Sequence, residues 1–291
     1  MSAPSSVLKK VKLIELKLRQ RVRDLFAGGY RSAFKGQGMI FSDYRQYVPG
    51  DDIRAISWPL TARMGEPYIK IFEEERGATF ILVMDVSGSF DFGTSGFKGE
   101  VACELASLIA MSAQRNQDAV GLLLFSDRIE HYVPPARGSN HVLRIVRDMY
   151  SFKRESPNTD ILPALDFMNG VLKKHCHIFV FSDFFSFSPF VRQLKITNQR
   201  HDVVAGIVCD PFESHFPALG LLEVEDAETG QRRVVDTSSG VFTEEYKTRM
   251  EDKKREVISY LRKSGVDHFF INTDQDIFKQ LMVFIRKRRE R

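Results

Sequence analysis

Three polar residues stand at alternate positions directly after an apolar, strand-like segment. The stretch ILVMDVSGSF places four apolar residues before Asp85, and Ser87 and Ser89 follow it. A turn needs only one or two such residues, so the regular Asp-x-Ser-x-Ser spacing suggests a further role. Carboxylate and hydroxyl oxygens are hard ligands, which Mg²⁺ prefers in near-octahedral coordination. The stretch therefore indicates ligands for a divalent cation.

Further oxygen donors occur at two other places in the chain. The apolar run FVFSD ends at Asp183, and Thr159 precedes a predicted helix. In an open α/β sheet, ligands bind beyond the carboxyl ends of the central strands. We therefore predict a site for Mg²⁺ or Mn²⁺, with a coordination position left open, at Asp85, Ser87, Ser89, Thr159 and Asp183. The alternative is that these residues form turns, and that Thr159 is only a helix N-cap.

Alternating strands and helices would position these residues. The patterns predict strands over 79–85, 118–127, 128–136, 177–183, 201–210 and 267–273. They predict helices over 97–116, 141–152, 161–174, 189–196 and 243–263, and from residue 277. Continuous apolar strands between amphipathic helices predict an α/β fold with a doubly wound, mostly parallel sheet covered on both faces. We assign this main domain to residues 78–291, with a β-hairpin near 220–238.

The first 77 residues have a different pattern. Apolar residues spaced by three and four predict an amphipathic helix over 7–27, which Gly28-Gly29 ends. The segment that follows lacks a helical period, has a turn signal at Pro49-Gly50 and alternates like a strand over 67–75. We predict a small helix-plus-β flank that packs on the main domain.

Composition narrows the class of protein. With 43% hydrophobic and 27% charged residues, the 291-residue chain is typical of soluble globular proteins, and no apolar run is long enough for a transmembrane segment. Cys103, Cys176 and Cys209 are odd in number and lie in apolar patterns, which favours reduced core cysteines and a cytoplasmic location. Both termini are basic and the region between them is acidic, but no nucleic-acid-binding motif accompanies the charge, so we expect no nucleic-acid partner.

The candidate ligands occur in a familiar order. Asp85-x-Ser87-x-Ser89, then Thr159, then Asp183 resembles the metal-ion-dependent adhesion site of von Willebrand factor A domains. In that family the serines and the threonine approach the metal, and the aspartates often act through water. An acidic side chain of a partner takes the open position. The resemblance implies a Mg²⁺ or Mn²⁺ cofactor and a protein partner that supplies this acidic side chain.

A second resemblance covers residues 31–76. This segment looks like the signature of the bacterial family called domain of unknown function 58, and DPFESHFPALG with the hairpin after it looks like a later part of that family. The residues that carry the first likeness include Asp51, Asp52, Arg54, Trp58 and Arg63. The resemblance implies an adaptor or cofactor of a MoxR-type AAA+ ATPase in complex assembly, chaperone or stress roles.

Two groups of residues have alternative interpretations. The charged residues of the signature could form a second functional site. An ion-pair network that fixes the flank onto the main domain, with Trp58 packed beneath it, is favoured, because buried charges persist only when paired. The phenylalanines Phe184, Phe185 and Phe187 could surround the metal as a docking surface, although phenylalanine is more often a core residue.

We expect a non-enzymatic, metal-dependent interaction module. The first rival is a Mg²⁺-dependent phosphotransfer enzyme that uses Asp85 as its nucleophile. Such enzymes need a second aspartate two residues later, where this chain has Ser87, and no P-loop or Ser-His-Asp order is present. The second rival is attachment to anionic membranes through the basic helix at 7–27. Packing of this helix on the domain explains its apolar stripe more simply.

Overall fold

The computed structural model describes residues 18, 21–22, 25, 39–74, 77–185, 189–214, 218–226 and 230–290. Its contacts divide the chain into two compact units. The smaller unit is Lys35–Ala78, and the larger one combines Met1–Phe34 with Thr79–Arg291. The N-terminal residues therefore group with the larger unit, and not with the β-rich segment that follows them.

The smaller unit contains one antiparallel pair of strands, β1 (Met39–Gln46) and β2 (Tyr68–Glu74). A 3₁₀ turn at Ile53–Ala55 and the short helix α1 (Trp58–Met64) connect them. Gly65 ends α1 in the left-handed conformation that glycine adopts without steric cost. The short strands and turns predicted for this segment are confirmed.

A six-stranded sheet forms the centre of the larger unit. Its strands are β3 (Thr79–Asp85), β4 (Ala119–Phe125), β5 (Ile129–Ala136), β6 (His177–Ser182), β7 (Asp202–Cys209) and β10 (Asp267–Asn272). Their order is β10-β7-β6-β3-β4-β5, and every neighbouring pair is parallel except β4 and the edge strand β5. The mostly parallel α/β sheet predicted from the sequence is confirmed.

Helices cover this sheet on both faces. They are α2 (Lys98–Arg115), α3 (Ser139–Ser151), α4 (Leu162–Val171), α5 (Val191–Arg200), α6 (Pro211–Ser214), α7 (Gly240–Lys263) and α8 (Ile277–Arg289). Helix α2 contacts α3 and α8, whereas α5 contacts α4 and α7. Strands β3, β4, β6 and β7 are buried at nearly every position, as strands of a parallel sheet between two helical layers must be.

The chain order reverses between β3 and β6. From β3 the chain continues to β4 and β5 on one side, whereas β6, β7 and β10 extend the sheet on the other side. The crevice beyond the carboxyl ends of two such strands is where open α/β sheets bind ligands. Asp85 is the last residue of β3, and Asp183 directly follows β6. The fold therefore places two predicted ligands at its switch point.

A separate hairpin is formed by β8 (Leu221–Glu225) and β9 (Arg232–Asp236). It confirms the β-hairpin predicted near residues 220–238. The predicted turn at Thr229-Gly230 is only partly described, because Thr229 lies outside the described residues. Gly230 donates its N–H to the Asp226 carbonyl, 2.8 Å away.

Most of the helix predicted over 7–27 lies outside the described residues. The four described positions are helical, and three of them are buried apolar residues of the predicted stripe: Leu18, Val22 and Leu25. Arg21 pairs with Glu104 and Asp276 of the same unit at 3.6 and 3.4 Å. These contacts agree with packing on the domain as the explanation of the stripe.

The three cysteines are free thiols, two of them buried and Cys209 partly so. This agrees with their prediction as reduced core residues. Among the described residues, no helix combines the length and the apolar character needed to cross a bilayer.

Candidate functional site

Asp85 lies at the buried end of β3, with 1% of its surface exposed. Both of its carboxylate oxygens accept hydrogen bonds. The Ser87 N–H donates to Oδ1 at 2.9 Å, and the Ser182 hydroxyl donates to Oδ2 at 2.8 Å. The hydroxyl oxygens of Ser87 and Ser89 are 3.2 Å apart, because a 3₁₀ turn begins at residue 88 and draws them together. The Asp-x-Ser-x-Ser spacing thus produces one compact polar cluster.

Asp183 lies at the end of β6, in a turn with unusual backbone geometry. Its Oδ1 accepts the Phe185 N–H at 3.1 Å, and the Phe184 N–H donates to the Ser182 hydroxyl at 3.0 Å. Phe184 has a φ of 60°, a left-handed conformation that costs a residue other than glycine about 1–2 kcal/mol. Its ring is buried and packs against Phe190 at 6.0 Å between centroids. This packing stabilises a turn that fixes the position of Asp183.

A lysine that the sequence analysis did not select completes the cluster. Lys98 is the first residue of α2, and its side chain is fully buried. Its Nζ donates to Asp183 Oδ2 at 2.9 Å and to Glu213 Oε1 at 2.6 Å, and it lies 5.5 Å from the centre of the Phe90 ring. A buried ammonium is stable only when it is paired and hydrogen-bonded. Lys98 therefore supplies a positive charge directly beside Asp183, one of the five predicted ligands.

The two strand-end carboxyl groups differ in their electrostatics. Burial raises the pKa of Asp85, and the negative charge of Asp183 raises it further. Burial alone would also raise the pKa of Asp183, but the Lys98 ammonium, together with hydrogen bonds from Phe185 and Ser89, holds this pKa below its ordinary value. Burial opposes the charge on Lys98, yet its two carboxylate partners keep the pKa of the ammonium above the ordinary value. Lys98 thus favours the ionised form of Asp183.

A third aspartate occurs at the end of the next strand. Asp210 follows β7, is 1% exposed, and accepts the N–H and the hydroxyl of Thr94, the hydroxyl of Thr273 and the N–H of Phe212 at 2.6–3.2 Å. Burial would raise the pKa of Asp210, but these hydrogen bonds hold it below the ordinary value. Its N–H donates to Glu213 Oε2 at 3.0 Å. Asp210 therefore ties the loop before α2 to the ends of β7 and β10.

Thr159 lies in the loop that leads to α4, and it is partly exposed. Pro157 in the same loop accepts the Gly88 N–H at 2.8 Å, so this loop contacts the turn that contains the two serines. The carboxylate of Asp160 accepts the Leu162 N–H at 3.0 Å. This bond closes a turn before α4, whose N-cap residue is Ile161, so Thr159 does not occupy the N-cap position considered as its alternative role.

The oxygen atoms of this cluster are ligands of the type that a hard cation prefers, but the Lys98 ammonium already pairs with Asp183. Among the described residues, no group of three His, Cys, Asp or Glu side chains is placed to hold a metal ion. A Mg²⁺ or Mn²⁺ ion would therefore depend on hydroxyl oxygens, and its ligands would come from Asp85, Ser87, Ser89, Thr159 and Asp183. Hydrogen bonds connect the first three of these residues with Asp183. Metal binding itself stays a prediction.

The family model described as "Protein of unknown function DUF58" matches residues 43–256, which is more than half of the chain. The chain belongs to the DUF58 family. Among the proteins similar to this chain, "Uncharacterized protein Rv1480" of Mycobacterium tuberculosis is 25% identical over 282 residues, which cover 96% of this chain and 89% of the relative. "Uncharacterized protein Mb1516" of Mycobacterium bovis matches with the same figures.

Two solved structures are similar to this DUF58 chain. An aerotolerance-related membrane protein from Bacteroides fragilis has a TM-score of 0.50 and 15% identity, and covers 74% of this chain and 99% of its own. BatB from Bacteroides thetaiotaomicron has a TM-score of 0.48 and 16% identity, and covers 74% of this chain and all of its own. At such identities the likeness concerns the fold alone, and the first of them agrees with a von Willebrand factor A-like α/β fold.

The charged residues of the DUF58 signature pair differently from the prediction. Asp51 accepts two hydrogen bonds from Arg45, at 2.6 and 2.7 Å, and Asp52 accepts the backbone N–H of Arg54 at 2.9 Å. Within the described part of the chain, no ion pair connects Arg54 or Arg63 with either aspartate. The predicted network therefore reduces to one surface ion pair and one helix cap, since Arg45 is the nearest complementary charge across the turn.

The packing predicted for Trp58 is wrong. Its surface is 66% exposed, and Ile53 and Met64 nearby in the chain are 64% and 58% exposed. Trp58 is the first residue of α1. The described part of this unit combines that short helix with one pair of strands, so no further layer covers a large ring. The exposed apolar residues keep a binding role for this signature open.

For the phenylalanines that follow Asp183, the sequence left a core role and a docking surface as alternatives. Phe184 is buried and Phe185 packs partly against the core, whereas Phe187 lies outside the described residues. The core interpretation is thereby confirmed for Phe184. Exposed aromatic side chains near the site include Phe92 and Phe97, at 42% and 55% exposure in the loop that leads to α2, and Phe212 of α6, at 37%.

Four contributors to the cluster were missed from the sequence: Ser182, Lys98, Asp210 and Glu213. Asp210 carried a usable signal, because HDVVAGIVCD ends in aspartate like the other two strands. Lys98 and Glu213 carried none, since a charged residue in the first turn of a helix usually faces solvent.

Proposed function

We propose that this DUF58 protein is a non-enzymatic interaction module, and that a partner protein docks at the carboxyl edge of its central sheet. The partner implied by the family resemblance is a MoxR-type AAA+ ATPase, for which the chain would act as an adaptor or cofactor. The observation that carries the proposal is a pair of exposed phenylalanines, Phe92 and Phe97, beside the polar cluster.

The loop that carries these phenylalanines is firmly anchored. Thr94, between them, donates two hydrogen bonds to the buried carboxylate of Asp210, and the Lys98 N–H donates to the Phe92 carbonyl at 2.9 Å. Aromatic side chains on a rigid support lose little entropy when they are buried by a partner. Anchored and exposed aromatic residues are therefore well suited to an interface.

A cavity of about 540 Å³ adjoins the same edge and offers a place for a partner side chain. Its lining includes Asp85 and Phe97 and continues through Cys103, Met149, Tyr150, Phe152 and Lys153. The volume lies in the range of ligand-sized pockets. The lining combines apolar side chains with the acidic Asp91 and Glu100 and the basic Lys153 and Arg154, so a partner segment that carries an apolar side chain and polar groups of both signs would match it.

The environment of Asp85 supports a non-enzymatic role. A carboxylate nucleophile must be accessible to its substrate, whereas Asp85 is 1% exposed and both of its oxygens accept hydrogen bonds within the protein. Ser87 occupies the position where a phosphotransfer enzyme of this type needs a second aspartate. The resemblance-based form of the proposal adds a Mg²⁺ or Mn²⁺ ion that joins Ser87, Ser89 and Thr159 to an acidic side chain of the partner.

The test is binding of the purified protein to a purified MoxR-type ATPase from the same organism. The double variant Phe92→Ser/Phe97→Ser should bind at least about 30-fold more weakly, because central aromatic contacts are often worth 2 kcal/mol or more. The control is Ile196→Ser/Val283→Ser, which changes two exposed apolar residues on α5 and α8.

Unchanged affinity of the phenylalanine variant, with an unchanged circular dichroism spectrum, would rule out this docking face. Absence of binding by the wild type would rule out the MoxR-type partner. Running each titration in Mg²⁺ and in EDTA separates the metal-joined form of the contact from a direct one.

A further inference from the structure

The buried ammonium of Lys98 pairs with two carboxylates. It supplies the positive charge that a bound cation would otherwise provide there. Three carboxyl groups, Asp85, Asp183 and Glu213, lie in the same cluster at the ends of β3 and β6 and at the start of α6. Lys98 contacts two of them directly, and its side chain has no exposed surface.

The carboxylate oxygens at the strand ends already have donors. Asp85 accepts hydrogen bonds from Ser87 and Ser182, and Asp183 accepts one from the backbone of Phe185 and one from Lys98. Mg²⁺ keeps several tightly held waters and needs about six oxygen ligands at roughly 2.0–2.1 Å. A metal that used Asp183 would have to displace the ammonium, or accept a positive charge close beside it.

Displacing the ammonium is unfavourable because the Lys98 side chain is completely buried. The backbone N–H of Lys98 is bonded to Phe92, and the ring of Phe90 lies over its Nζ. An ammonium moved from its carboxylate partners would remain buried without a counter-ion, and Asp183 would lose its own. A metal ion from solution would therefore have to compete with the Lys98 ammonium, which is already fixed in the protein.

We infer that the Lys98 ammonium takes the place of a divalent metal ion in this chain, so that the strand-end cluster is neutralised and ordered without metal. The inference concerns the isolated protein, and it is independent of whether a partner docks at this face. It departs from the metal dependence that the resemblance implies, because the ammonium pairs with Asp183, one of the five predicted ligands, and with Glu213.

The experiment measures Mn²⁺ binding by electron paramagnetic resonance, together with thermal unfolding in Mg²⁺ and in EDTA. The wild type should bind no Mn²⁺ at this site, and its Tm should be the same in both buffers. Lys98→Met should bind one Mn²⁺ per chain, and its Tm should rise by roughly 5 °C or more at 100 times the Kd. Adding Ser87→Ala/Ser89→Ala should abolish that binding, and Lys195→Met, an exposed lysine on α5, should behave like the wild type.

Binding of one Mn²⁺ by the wild type that is lost in Ser87→Ala/Ser89→Ala would overturn the inference. A folded Lys98→Met protein that binds no Mn²⁺ would also overturn it, because the oxygen atoms would then not form a cation site. If Lys98→Met does not fold, the wild-type titration against Ser87→Ala/Ser89→Ala decides alone, since the inference requires the wild type to bind no metal there.

Discussion

Replacing Lys98 by methionine tests the charge balance of the strand-end cluster in the absence of metal. Methionine keeps an unbranched apolar side chain but removes the ammonium, which leaves Asp183 Oδ2 and Glu213 Oε1 without their donor. Removing one partner of a buried ion pair costs about 3–5 kcal/mol. Glu213 retains some contact with solvent, with 16% of its side chain exposed, so we expect a loss of about 4 kcal/mol rather than the sum of two such pairs.

The loss should depend on pH. In the wild type, the lowered pKa of Asp183 means that its stabilising contribution is present above the ordinary pKa and is lost as pH falls through the folded-state value. Without the ammonium, the pKa of Asp183 and of Glu213 should rise, because burial remains and the compensating charge is gone. Protonation of the folded variant should then recover stability as the pH falls through these raised folded-state pKa values toward the ordinary ones, so the difference from wild type should shrink on acidification.

Urea unfolding in EDTA, followed by circular dichroism, measures both effects. Lys195→Met provides the matched control and should change the free energy of unfolding by less than about 0.5 kcal/mol. Lys98→Met/Glu213→Gln should recover part of the loss, because an amide does not leave a buried charge. A loss below about 1 kcal/mol that does not change with pH would refute the assignment of Lys98 as the neutralising group.

Two substitutions test the backbone elsewhere in the fold. A Cβ at Gly206 would lie 2.8 Å from a ring carbon of Phe181 and 2.9 Å from Ile271 Cδ1. Gly206→Ala should therefore destabilise the protein by about 1–3 kcal/mol in urea unfolding. An unchanged unfolding midpoint would contradict the close packing of β7. Gln117 follows α2 with a φ of 63°, so Gln117→Gly should stabilise by about 0.5–1 kcal/mol in the same assay, and a loss of stability would show that this residue is not left-handed in solution.

The parts of the site that could be predicted are those that local sequence determines. Asp85, Ser87 and Ser89 follow a strand whose apolar run is unmistakable, and strand ends of a parallel sheet meet at one edge. The same reasoning extends to Asp183, and it would have reached Asp210 had every strand end been considered. Such residues are predictable because alternation, strand ends and turn chemistry all depend on a few neighbouring positions.

The remaining contributors depend on tertiary contacts that no local pattern encodes. Lys98 looks like an ordinary residue at the start of a helix, and its burial follows only from the way α2 meets β6 and α6. The opposite error occurred at Trp58, because a large aromatic residue is normally buried, but here the surrounding unit is too thin to cover it. In both cases the exposure of a side chain was decided by what packs over it, and not by its type.

The ion pairs of Lys98 also have a consequence for how the chain folds. Its two partners are 85 and 115 residues further along the sequence, so both contacts close large loops. A ribosome-bound fragment that ends before residue 213 would contain β3, α2 and β6, but it could bury Lys98 against one carboxylate only. Collapse of α2 onto the sheet is therefore disfavoured until β7 and α6 have been synthesised, since a half-paired ammonium is costly to desolvate. The cluster thereby couples the packing of α2 on the sheet to the emergence of α6.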